Sequence, residues 1–149
     1  VNNFIANVKK NIYKDKNFYK IINYPQVKVI HSGIYSENNF HEKDNYDHEK
    51  DNLNIPLEIK LKREIEPIYR KQIENLSEVE NIKNIFGKGS LAMVKNGENN
   101  SSSSEFFFVT NKFPELDGRY SVFGKVVKGY GVLETIDKKD LIYEILILN

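Results

Sequence analysis

The run EFFFVTNKFPELDGRYSVFGKVVKG, residues 105–129, constrains the fold more than any other part of the chain. Glu105 to Thr110 and Tyr120 to Val127 are dense in aromatic and β-branched residues, which suit a pleated, half-buried surface. Between them P-E-L-D-G reads as a turn, with proline presetting φ and glycine accepting the conformations other residues resist. Successive side chains of a strand point to opposite faces. Phe106 and Phe107 therefore cannot fill the same layer. Three consecutive phenylalanines are either ordinary core or one wall of a pocket for an apolar ligand.

The rest of the chain supplies further short strands and terminal helices. Phe4, Ile5 and Val8 in NNFIANVKK predict a short amphipathic helix over 2–10, started by an N-cap at Asn2 or Asn3. NFYKII (17–22) and QVKVIHSG (26–33) read as two strands around a turn at Asn23–Pro25. Residues 36–54 are polar and charged, and a mobile surface loop is expected. Over 60–86 the isoleucines recur at steps of three and four, which predicts a helical insertion interrupted near Pro67 and Ser77, with an S-x-x-E capping box at Ser77–Glu80. GSLAMV (89–94) is a strand, KNGENNSSSS (95–104) an exposed loop, VLETIDK (132–138) a short helix, and LIYEILILN (141–149) a closing strand. One mostly-β domain with peripheral helices, a barrel or a sandwich, is the physical expectation.

Several chemistries are excluded or weak. No cysteine occurs in 149 residues, which removes disulfides and thiolate catalysis, and a net charge of +1 provides no global field for nucleic acid or a membrane surface. No run approaches the roughly 20 apolar residues of a membrane helix. His31, His41 and His48 match no metal-ligand spacing, so no metal is expected. Ser101–Ser104 lacks a nucleophile elbow, GKGS at 87–90 lacks the first glycine of a phosphate loop, and Glu78 and Glu80 do not face each other on a helix.

G-S-L-A-M (89–93), E-F-F-F-V-T (105–110) and L-D-G-R-Y-S-V-F-G-K-V-V-K-G (116–129) resemble, in order and spacing, the cyclophilin blocks G-x-L-S-M-A-N-A-G, S-Q-F-F-I and W-L-D-G-K-H-V-V-F-G-K-V. NNFIANV resembles the family's E-N-F-x-x-L helix, and NFYKII its F-H-R-V-I strand. The resemblance spans residues 2–33 and 87–149 and implies an eight-stranded β-barrel capped by helices. Two N-terminal strands of that barrel have no counterpart, so an N-terminal part is expected to precede Val1. The implied activity is cis–trans isomerisation of X-Pro bonds, without a cofactor. Its barrier is amide resonance, about 18–20 kcal/mol, lowered when a cation addresses the pyramidalising proline nitrogen in an apolar pocket.

Position by position, the resemblance places the pocket phenylalanine at Phe107 and the pocket leucine at Leu116, with Phe106 turned into the core. The catalytic arginine falls on Lys20 and the histidine beside it on Tyr19. Glutamine becomes Glu105, the backbone-docking A-N-A becomes Val94-Lys95-Asn96, tryptophan becomes Glu115, and the histidine of D-G-K-H becomes Tyr120. With a three-residue insertion near Asn23–Gln26, the F-M-I-Q-G-G strand becomes Lys28-Val29-Ile30-His31-Ser32-Gly33, so Val29 and His31 enter the site. Without it Pro25, Gln26 and Lys28 take those places. His31 as a core residue remains open.

The expectation is an isomerase of reduced activity, with Lys20 and Phe107 catalytic and Val29, His31, Val94, Lys95, Asn96, Glu105, Leu116 and Tyr120 binding substrate. Lysine lacks the planar fork of arginine, and Glu105 would partly neutralise it if the two pair. The alternative is a non-catalytic module that binds a proline-containing segment or a protein partner. A third reading gives the 60–86 insertion a scaffold role. Proline-containing peptides or proteins are the expected partners, cyclosporin-type ligands bind weakly without the tryptophan, and the chain is expected to be a monomer. The compartment is open, leaning to cytoplasm or nucleus.

Overall fold

Apolar alternation in residues 28–33, 90–95 and 105–109 is satisfied by one antiparallel sheet. The computed structural model describes residues 1–34 and 54–148. Of the expected loop at 36–54, residues 36–53, with His41 and His48, lie outside the described residues, and Asn54 opens a strand. Helix α1 (Asn2–Lys9) leads into β1 (Lys16–Asn17), β2 (Lys20–Asn23) and β3 (Lys28–Gly33). After the undescribed stretch come β4 (Asn54–Pro56), β5 (Glu58–Ile59), β6 (Ile68–Tyr69), α2 (Leu76–Val79), β7 (Ser90–Lys95) and β8 (Asn100–Val109). A 3-10 turn (Pro114–Leu116), β9 (Val122–Lys125), α3 (Tyr130–Thr135) and β10 (Leu141–Ile142) complete the order. The main sheet has six strands, β2-β3-β8-β7-β9, with β4 also pairing β8.

Register sorts the side chains into two faces. Lys20 lies opposite His31, His31 opposite Phe107, Phe107 opposite Ala92, and Ala92 opposite Val122. Directly opposed residues share a face, so this row crosses five strands on one side of the sheet. Phe106 and Phe108 point the other way. Phe106 packs with Val8, Tyr13, Met93 and Phe4, its ring meeting those of Phe4 and Tyr13 edge to face. Phe108 packs with Phe18, Ile30 and Leu133. Phe107 instead joins Val27, Val29, Phe86, Ala92 and Val109.

Five expectations for individual segments are corrected. The serine tract is strand rather than exposed loop, because β8 begins at Asn100 and pairs with β4 and β7. Ser101, Ser102 and Ser104 are buried, and two of the hydroxyls are hydrogen-bonded: Ser102 Oγ accepts from the Glu105 amide, and Ser101 Oγ meets Ser121 Oγ. Residues 60–86 contain one helix, of four residues, in place of a helical insertion. Pro67 removes a donor that a helix through it would need. Of the isoleucines, Ile73 and Ile82 are buried, joining Leu57 and Ile59 in a small core beside the β5–β6 hairpin and the Leu61–Ile82 bridge, whereas Ile65 and Ile85 are exposed.

Capping also differs from the sequence expectation. Asn75 caps α2 by accepting from the Ser77 amide, so the predicted box at Ser77 does not form. Helix α1 has Val1 at its N-cap and no side-chain cap. Asn3 and Asn7 donate instead to the Ser103 carbonyl, which fastens the helix to β8. The predicted closing strand shrinks to Leu141–Ile142, paired with β1. Tyr143, Leu146 and Leu148 beyond it are exposed.

Candidate active site

Phe107 is 2% exposed and sits between aromatic neighbours. The His31 ring lies 5.3 Å away at 21°, the Phe86 ring 5.8 Å away at 10°, and Tyr120 meets it edge to face at 5.2 Å. His31 is there because β3 pairs with β8 in this register, and Phe107 faces it across the ladder. Leu116, Phe113, Val94 and Ile22 pack around the same cluster, half-buried.

The P-E-L-D-G segment holds that cluster together. Asp117 Oδ1 accepts the Phe86 amide at 2.7 Å, and the Phe86 carbonyl accepts the Phe113 amide at 3.1 Å. The Gly118 carbonyl accepts the Ile73 amide at 2.9 Å. Gly118 has φ of 79°, and a Cβ there would stand 2.3 Å from the Ile73 carbonyl oxygen. No other residue fits both demands. The turn is thus a clip that joins the 73–86 segment to the sheet and seats Phe86 beside Phe107.

Charged and polar groups lie along one side. Lys20 is exposed at the end of the row, opposite His31. Burial, with the Lys20 ammonium nearby, pushes the His31 imidazole down from 6.5 to about 4, so this ring is neutral at physiological pH. Glu105 Oε1 accepts from the Tyr19 hydroxyl at 2.8 Å, and among the described residues no ion pair joins Glu105 to Lys20. Burial raises the Tyr120 hydroxyl above its ordinary range.

The structure brings together Val29, His31, Phe107, Leu116, Tyr120 and Val94, with Lys20 and Glu105 flanking them on the same face. Lys95 and Asn96 fall outside the cluster. A bulge in the β7–β8 pairing precedes Lys95, which pairs with Ser101, and the Asn96 side chain is bonded to Asn54. Val29 and His31 enter the site because the Tyr24 amide closes a turn on the Val27 carbonyl. Lys28 faces away and donates to the Glu134 and Ile136 carbonyls.

Sequence reasoning missed Phe86, Val27 and Phe113. Phe86 stands one residue before the 87–149 block and inside the segment read as an insertion. Its signal was the Asp-Gly pair, whose carboxylate needs a backbone partner. Among the described residues no group of three or more acidic or histidine side chains could hold a metal ion, and no helix is long and apolar enough to cross a membrane.

The site is thus an apolar face floored by stacked rings and edged by a lysine. The family model described as cyclophilin type peptidyl-prolyl cis-trans isomerase/CLD matches residues 1–144, and the chain belongs to that family. It is 37% identical over 105 residues to a thylakoid lumen peptidyl-prolyl cis-trans isomerase of Synechocystis, covering 64% of this chain and 28% of that protein. It is 41% identical over 51 residues to an isomerase of Arabidopsis thaliana, covering 34% of this chain and 31% of that one. The chain therefore spans less than a third of these relatives.

A Cryptosporidium parvum cyclophilin-type isomerase structure shares the fold, with a TM-score of 0.58 at 22% identity over 99% of this chain and 82% of that one. A second structure of that protein, determined in the presence of the dipeptide Ala-Pro, has a TM-score of 0.51 at 22% identity over 91% of this chain and 68% of that one. The fold is cyclophilin-like and mostly β, as the sequence resemblance implied.

Proposed function

We propose that this chain is a peptidyl-prolyl isomerase of cyclophilin type that acts on X-Pro bonds with reduced turnover. The observation that carries the reading is the register row in which Lys20, His31 and Phe107 lie side by side on one face. Leu116 and Tyr120 border the same cluster. The proline ring rests against Phe107, Leu116 and Tyr120, and the Lys20 ammonium addresses the amide nitrogen as it pyramidalises. No proton is transferred. The rate gain comes from a cation already in place when the lone pair leaves resonance.

Turnover is reduced because an ammonium is a hydrated point charge without the fixed fork of a guanidinium. Its neighbour His31 is neutral and adds no second cation. A proline-containing peptide is the substrate class, in keeping with the Ala-Pro dipeptide used with the Cryptosporidium relative. Glu115 in place of a tryptophan supports weak binding of cyclosporin-type ligands.

A second reading, a non-catalytic peptide-binding module, rests on the near-complete burial of Phe107 beneath His31, Phe86 and Tyr120. The variant Lys20→Arg with Glu105→Gln separates the two. In exchange spectroscopy on an Ala-Pro peptide, an isomerase gains rate from this pair. A binding module shows peptide-induced shifts around Phe107 and no gain.

A further inference from the structure

Beside the Phe107 cluster lies a cleft of about 590 Å³ whose walls are the turn after β2 and the segment after β8. Tyr24, Pro25 and Val27 form one wall, and Phe113, Pro114 and Glu115 the other. The Tyr24 and Phe113 rings pair at 5.1 Å and 60°. Val27 and Phe113 belong to the Phe107 cluster as well, so cleft and proline site share two side chains.

The walls are held before any ligand arrives. The Tyr24 amide donates to the Val27 carbonyl at 2.9 Å, and Asn111 Nδ2 reaches across to the Gln26 carbonyl at 3.2 Å. Thr110 and Lys28 exchange two further bonds at the base. Two prolines fix φ on opposite walls. Tyr24 is nevertheless 46% exposed, a large amphipathic ring left open to solvent on a rigid turn.

We propose that Tyr24 and Phe113 form a specificity subsite for an aromatic side chain next to the proline of a peptide substrate. The inference rests on the proline-site reading and deepens it. An extended peptide with its proline at Phe107 places the side chain of a flanking residue at the shared Val27–Phe113 wall. The paired Tyr24 and Phe113 rings present one aromatic surface to the cleft, and a ring laid on it is favoured over alanine by roughly fivefold, as edge-to-face and offset ring pairs are.

The test uses the whole chain with Ala-Ala-Pro-Ala, Ala-Phe-Pro-Ala and Ala-Ala-Pro-Phe, reading dissociation constants from NMR titration and catalysed exchange from the same samples. One of the two phenylalanine peptides is expected to bind about fivefold more tightly than the alanine peptide, with shifts at Tyr24 and Phe113. Tyr24→Ala brings that ratio to about one, and Tyr24→Phe retains it. Equal affinity for all three peptides, or a ratio untouched by Tyr24→Ala, overturns the subsite while leaving the proline site standing. Absence of binding and exchange for every peptide, with no shift near Phe107, overturns the proline-site reading and the subsite together.

Discussion

Asp117 Oδ1 accepts the Phe86 amide at 2.7 Å, and through that bond the turn before β9 determines where a ring beside Phe107 sits. Replacing Asp117 with alanine leaves a part-buried backbone donor without its acceptor. The expected loss is about 1–3 kcal/mol of stability. Urea unfolding of Asp117→Ala measures it, and Asp117→Asn, which keeps an acceptor oxygen, recovers part of the loss.

Gly118 is the second half of the same clip. Gly118→Ala puts a Cβ against the Ile73 carbonyl and holds a substituted residue at positive φ. Destabilisation of at least about 1–3 kcal/mol is expected. Gly97 also has positive φ but lies in open space, so Gly97→Ala has the strain without the clash and loses less in the same unfolding experiment.

Phe107 and Leu116 separate packing from binding. Phe107→Ala opens a cavity in a closed cluster and is expected to cost about 3–5 kcal/mol. Leu116 is half-buried on a 3-10 turn, so Leu116→Ala costs about 1–2 kcal/mol while removing one wall of the proposed proline site. Titration of an Ala-Pro peptide should show the binding loss for Leu116→Ala in protein that still unfolds cooperatively.

His31 gives the site a pH signature. Its folded pKa is about 4 against 6.5 when unfolded, so between those values the unfolded chain holds the proton and the folded chain does not. The His31 contribution is therefore fully present above about pH 6.5, falls as pH drops through about 4, and then levels. The total is on the order of 3 kcal/mol at most. Urea unfolding of wild type and His31→Gln from pH 4 to 7 should diverge over this window and run parallel above it.

Strands β3, β7 and the second half of β8 were legible because each alternates apolar residues over two faces, and the Phe106–Phe107 alternation followed directly. Ser101–Ser104 was not, because a serine tract has the composition of a linker whether its hydroxyls meet water or a neighbouring strand. The isoleucines of 60–86 keep a helical spacing, yet tertiary pairing through β5, β6 and the Leu61–Ile82 bridge overrides it. In the site, Lys20, His31 and Phe107 were legible from the aligned motifs, whereas Phe86 depended on a hydrogen bond across 31 positions. Glu105 was read as a possible partner of Lys20, but the Tyr19 hydroxyl engages it.

The most direct test of the account is exchange spectroscopy on an Ala-Pro peptide with catalytic amounts of the protein, wild type against Lys20→Ala. Uncatalysed X-Pro bonds interconvert in tens to hundreds of seconds, so acceleration is readily seen. The account predicts exchange cross-peaks with wild type that weaken at least tenfold with Lys20→Ala, the loss of roughly 1.4 kcal/mol or more of transition-state stabilisation. Equal acceleration by both proteins, or none by wild type despite peptide-induced shifts around Phe107, would contradict it.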